Sequence, residues 1–157
     1  MKCIPLIAIA VTLLMSCENK PAAPAEAATD GSRITGTWKL ISAKSIEKGD
    51  TTVTAPVSGQ ETIKIFNNSH FAFFTHDLQH GTDSATAVFG SGSGTYTLAG
   101  DTYSEHLIYC SYRGWEDKDF TFKMKVSQDT IVQSGEEKID SLNVDHQIIE
   151  TYVRVKS

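Results

Sequence analysis

The chain has 157 residues, 40% of them hydrophobic and 21% charged, proportions that suit one modest globular domain. Fourteen Lys and Arg stand against nineteen Asp and Glu, and a net charge of −5 argues against nucleic acid as a partner. Three cysteines allow at most one disulfide with one thiol left over.

Met1 and Lys2 form a short basic start, and residues 4–15 follow as a twelve-residue apolar run. The run is too short to cross a bilayer as a helix and suits the apolar region of an export signal. It ends Leu14-Met15-Ser16-Cys17. With Leu14 three residues before the cysteine and small Ser16 directly before it, this stretch resembles a bacterial lipoprotein signal. The resemblance implies that residues 1–16 are a signal peptide removed by cleavage. Cys17 is then acylated on its thiol and on its new amino group. The protein would be exported to the bacterial cell envelope and held at a membrane there, with the outer membrane expected, facing periplasm or surface. Cys3 then leaves with the signal, Cys17 carries lipid, and Cys110 remains as the one thiol of a 141-residue chain with a net charge of −6.

Residues 18–33 contain no Val, Ile, Leu or aromatic side chain. Pro, Ala and charged residues of this kind bury too little apolar surface to offset the entropy of ordering. With Cys17 they read as a lipidated, disordered tether (17–33) reaching at most about 50 Å, and the folded domain is expected over 34–157.

Within that domain the hydrophobic period is two. In 120–126, Phe120, Phe122, Met124 and Val126 share one face, and Thr121, Lys123 and Lys125 share the other. Similar runs lie at 37–46, 62–67, 70–76, 94–98, 102–110, 130–134 and 148–156, with turn-forming residues at 48–50, 67–69, 99–101 and 127–129. Eight short strands at fairly even spacing, without an amphipathic helix, predict an all-β fold. An antiparallel up-and-down barrel is favoured because closure removes the exposed edges. Eight strands enclose side chains or one small ligand.

The domain opens Gly36-Thr37-Trp38-Lys39-Leu40. A Gly-x-Trp on the first strand is similar to the opening of lipocalins and related ligand-binding barrels. The second lipocalin motif, Thr-Asp-Tyr, is missing. With 94–106 and the closing Glu150-Thr151-Tyr152-Val153-Arg154-Val155, the domain resembles the lipocalin-like domains of unknown function found in bacterial envelope lipoproteins. That resemblance implies a barrel closed at one end by Trp38, with Arg154 from the last strand stacked over it, a contact worth about 0.5–2 kcal/mol.

Candidate chemistry is sparse. His70, His76, Asp77 and His80 fall within eleven residues but look like strand ends and solvated loop, so no metal and no cofactor is implied. Gly90-Ser91-Gly92-Ser93-Gly94 leads into a strand rather than a helix, which argues for a turn or bulge and against a phosphate loop. Trp115 reads as a loop aromatic, placed at the barrel mouth, against a partner, or on its own strand ends.

The stronger signal is polar residues on strand faces. In 102–110 one face carries Tyr103, Glu105, Leu107 and Tyr109, and the other carries Ser104, His106, Ile108 and Cys110. Either face brings an ionisable group inside, where it needs a partner. In the last strand Glu150, Tyr152 and Arg154 share a face, and Arg154 could grip a carboxylate such as Glu105. The opposite face of Ile149, Thr151, Val153 and Val155 is more apolar and by pattern is the better core face.

Three functions follow. The first is a barrel that binds a small amphipathic, hydrophobic or lipid-like ligand through Tyr103, Glu105, Tyr109, Tyr152 and Arg154, in a cavity of about 300 Å³ or more lined by aromatics. The second is a filled barrel whose loops, around Trp115, bind an envelope protein or glycan through an exposed apolar patch. The third is an enzyme using Glu105 or His106 as acid or base.

Overall fold

A computed structural model describes residues 31–156. The expected signal peptide (1–16), Cys17 and most of the expected tether lie outside the described residues. Nine strands follow in chain order: β1 (Gly36–Glu47), β2 (Asp50–Ala55), β3 (Gln60–Phe66), β4 (His70–Asp77), β5 (Phe89–Ala99), β6 (Thr102–Cys110), β7 (Lys118–Val126), β8 (Thr130–Ile139) and β9 (Val144–Arg154). β1 and β3 to β9 pair antiparallel with their neighbours, and β9 pairs back onto β1, which closes an eight-strand up-and-down barrel. β2 is an addition. It pairs with the second half of β1, after β1 has parted from β3.

The turns form where the sequence places turn chemistry. Asn67 Oδ1 accepts the Ser69 and His70 amides at 2.9 and 2.7 Å, folding β3 onto β4. Gly49, at φ 93°, takes the left-handed position of the β1–β2 turn. The long 78–88 connection is tied down by Asp77, whose carboxylate accepts the Gly81 and Gln79 amides. Those backbone bonds, led by Gly81, hold its carboxyl below the usual range.

Two bulges decide which side chains enter the barrel. In β6, Leu107 pairs with Gly94 and Tyr109 with Ser93, leaving Ile108 as an extra residue. The alternation therefore inverts. Tyr103 and Leu107 face in, then Cys110 does, and Tyr109 is turned outward and is 66% exposed. In β1, Leu40 pairs with Tyr152 and Ser42 with Thr151, so Ile41 is extra and Leu40 and Ala43 both line the interior.

Gly90-Ser91-Gly92-Ser93-Gly94 is strand rather than turn, and the bulge sits at its end. Its glycines answer a close approach: a Cβ on Gly94 would stand 1.8 Å from the His106 carbonyl oxygen.

One end is closed. Trp38 is fully buried, its indole N–H donates to the Ile34 carbonyl at 2.7 Å, and the Arg154 guanidinium lies 4.1 Å from the ring centroid. Arg154 Nη1 also donates to the Thr35 carbonyl at 2.9 Å, so the stacking expected from the sequence comes with a backbone clamp. A 3₁₀ turn, Gly31–Arg33, precedes β1, and buried Gly31 packs beneath Tyr96. Three residues read from sequence as tether therefore belong to the domain's base. Above them, Phe66 meets Tyr96 and Tyr103 edge-on, and Tyr103 stacks with Phe122, so aromatics fill the closed half.

Candidate functional site

The open half is polar inside. Lys64, on β3, shares its inward face with Thr62 and Phe66 and is only 5% exposed. Its ammonium lies 3.1 Å from Glu105 Oε2 on β6 and 3.2 Å from Gln133 Oε1 on β8. It also sits 4.9 to 5.5 Å from the ring centroids of Phe66, Phe71 and Tyr103. Tyr103 completes the group by donating to Glu105 Oε2 at 2.7 Å. A buried charge is tolerable here because an opposite charge, a hydrogen-bond acceptor and aromatic faces all meet it.

A second carboxylate lines the same interior. Glu150, on β9, pairs in register with Gln133, and its Oε2 accepts the Tyr152 hydroxyl at 2.7 Å. Burial raises the Glu150 carboxyl above its ordinary range, opposed by the nearby Lys64 charge and the Tyr152 bond. Higher up, Glu137 Oε2 lies 2.9 Å from His146 Nε2, and burial again raises the carboxyl despite that contact. Burial also pushes the Tyr103 and Tyr152 hydroxyls well above the usual tyrosine range, so both act as donors.

These groups surround a cavity of about 210 Å³ lined by Leu40, Phe73, Lys64, Glu105, Glu137 and Glu150, among others. A second hollow of about 390 Å³, beneath β2 and the Pro56 loop, shares Leu40, Thr62, Thr75 and Glu150 with it. The two hollows therefore adjoin at the open end of the barrel. β1 makes room for the outer hollow by leaving β3 for β2, which separates the two strands at the mouth.

Four of the five predicted ligand residues lie on inward faces. Glu105 and Tyr152 line the cavity, Tyr103 is fully buried among the aromatics and meets Glu105 through its hydroxyl, and Arg154 shares their face at the closed end. The polar face of the last strand is inward, against its apolar pattern. Ile149 is 37% exposed, and outward β-branched residues simply suit a strand surface.

The expected Arg154–Glu105 grip does not form. Arg154 is spent on Trp38 and backbone carbonyls, and Lys64 takes its place beside Glu105. Tyr109, turned out by the β6 bulge, lines an outer hollow with Phe74, Ser93 and Arg113.

Lys64 was missed because β3 offers Ile63 and Ile65 as the more apolar face. The available signal was that Lys64 is two residues from Phe66 and must share its side. The cavity also differs from the expectation of about 300 Å³ lined by aromatics. The rings pack the closed half, leaving a smaller space walled by charge.

The remaining candidates separate. His106 faces outward, 2.9 Å from Asp119, on the opposite side of β6 from Glu105. His70 contacts Ser69 Oγ, and His76 contacts the Asp77 carbonyl. Trp115, in the 3₁₀ turn Arg113–Trp115, packs on Phe120 of the following strand at 5.8 Å, the placement on its own strand ends.

No family model and no curated protein matches this chain. Among solved structures it is similar to a lipocalin-like protein from Bacteroides uniformis, at 16% identity and a TM-score of 0.49, over 78% of this chain and 99% of that one. It is also similar to an uncharacterized protein from Bacteroides eggerthii, at 15% identity and a TM-score of 0.47, over 77% and 98%. The lipocalin-like architecture of this chain rests on its own strand pairings and its closed Trp38 end.

Proposed function

We propose that this protein is a binding module that holds a small amphipathic ligand inside the barrel. The observation that carries this reading is the pair of adjoining hollows, about 390 Å³ at the mouth and 210 Å³ inside, which share Leu40, Thr62, Thr75 and Glu150 while Trp38 and Arg154 stack at the other end. A ligand entering by the mouth meets an apolar wall of Leu40 and Phe73 and hydrogen-bonding groups on the facing strands, the usual division of labour in a small-molecule site. Native mass spectrometry of the full chain, purified without lipid stripping, tests it. A retained small molecule that is lost when Leu40→Trp fills the cavity is the expected result, and a retained molecule unaffected by that change would overturn it.

The proposal includes anchoring at a bacterial envelope membrane through acylated Cys17. Membrane fractionation of the full chain should find it in the membrane, and Cys17→Ser should release it.

A second reading, binding of an envelope partner through the surface, is favoured by one observation. Phe89, Tyr109 and Tyr112 are 70%, 66% and 58% exposed on the outer wall, rather than around Trp115. Substituting Phe89 and Tyr109 by Ser would abolish such an interaction and leave the barrel cavity untouched.

A further inference from the structure

We infer that the cavity selects a small organic cation, an ammonium group on a short apolar body, over neutral or anionic molecules of the same size. This inference rests on the proposal that the barrel binds a ligand, and adds its charge class.

Among the described residues lining the inner cavity, Lys64 is the one cation, while Glu105, Glu137 and Glu150 are all acidic. The Lys64 ammonium is already committed to Glu105 and Gln133 and enclosed by three rings. An anionic head group therefore meets no uncommitted cation there, and faces carboxylates on β8 and β9. At the mouth the same holds, because Lys39 is paired with Glu61.

The ionisable groups left over are acidic. Glu105 is matched by Lys64. Glu150 has Tyr152 as its one hydrogen-bond donor among the described residues, and Glu137 has His146 beside it. Three carboxyls thus share Lys64 and His146, so acidic groups outnumber basic ones even with His146 protonated. Placing an ammonium there supplies the missing charge, and Leu40 and Phe73 supply an apolar wall for its body. The site combines the fixed Lys64–Glu105 ion pair with two further carboxyls, so the selection follows from the whole lining.

Binding should also be linked to protons. The groups facing Glu150 in the inner cavity are Lys64 from β3, Glu105 from β6, Gln133 and Glu137 from β8 and Tyr152 from β9, with uncharged Leu40 and Thr75 from β1 and β4, and in the outer hollow the Lys39–Glu61 pair from β1 and β3. Burial raises the Glu137 and Glu150 carboxyls, and an arriving cation favours their ionised forms, so uptake should release protons and weaken as pH falls.

Isothermal titration of the full chain with n-hexylammonium, n-hexanol and n-hexanoate, matched in length, tests the inference. The expected result is that hexylammonium binds at least tenfold more tightly than hexanoate at pH 7.5 and weakens at pH 5 (about tenfold in affinity is 1.4 kcal/mol). Glu150→Gln should cost hexylammonium about tenfold while changing hexanol less than twofold. Hexanol or hexanoate binding without any preference for the amine would overturn the charge assignment and leave the barrel reading standing. Failure of all three to bind the folded chain would overturn both.

Discussion

At the scale of single residues the open half is decided by how each buried charge is matched. Lys64 and Glu105 are both almost inaccessible to water, with side-chain exposures of 6% and 10%. Removing one partner leaves the other charge uncompensated, which costs about 3–5 kcal/mol. Lys64→Met should therefore destabilise the chain by about that much in urea denaturation, and Lys64→Met with Glu105→Gln should recover more than half of the loss. Glu150 behaves differently because its carboxyl is raised. The folded protein binds that proton more tightly than the unfolded chain, so Glu150 lowers stability progressively as pH climbs from the ordinary 4.5 through its folded value. Glu150→Gln keeps an acceptor for Tyr152 and removes the ionisation. Melting temperatures should rise relative to the parent, with the gain small at pH 4 and larger at pH 7.5.

At the scale of elements, the β6 bulge decides what the barrel shows to each side. Strand 102–110 was legible with both ends correct, because its alternation is strong, but a strict period of two puts Tyr109 with Tyr103 and Glu105. The extra Ile108 breaks that period, and nothing in the residue pattern marks where a bulge sits. β5 shows the converse. Its alternation of glycine and serine hides a strand running from Phe89, since glycines that admit a neighbouring backbone read in sequence as turn residues. Gly94→Ala tests this geometry. The added Cβ collides with the His106 carbonyl, so the substitution should cost about 3 kcal/mol or more, or prevent folding, while Gly100→Ala in the β5–β6 turn costs less. β2 went unread because its six residues are almost all exposed and carry no apolar alternation.

At the scale of the whole molecule, the barrel, its closed end and the Trp38–Arg154 stack were legible, since turn chemistry, strand period and the Gly-x-Trp opening all agree. The site was half legible. Tyr103, Glu105 and Tyr152 stand out as polar residues on otherwise apolar faces. Lys64 does not, because its value comes from β6 and β8 partners more than forty residues away. The division of the interior follows from the same residues: aromatics spent on sealing one end leave the other end to charge. The most direct test of a ligand-binding interior is amide NMR of the full chain titrated with n-hexanol, a neutral amphipathic probe, beside the Leu40→Trp variant. The account predicts shift changes at Lys64, Glu105, Gln133 and Tyr152 that vanish in Leu40→Trp. Changes confined to Ser93, Tyr109 and Tyr112 on the outer wall, or changes that persist in the filled variant, would contradict it.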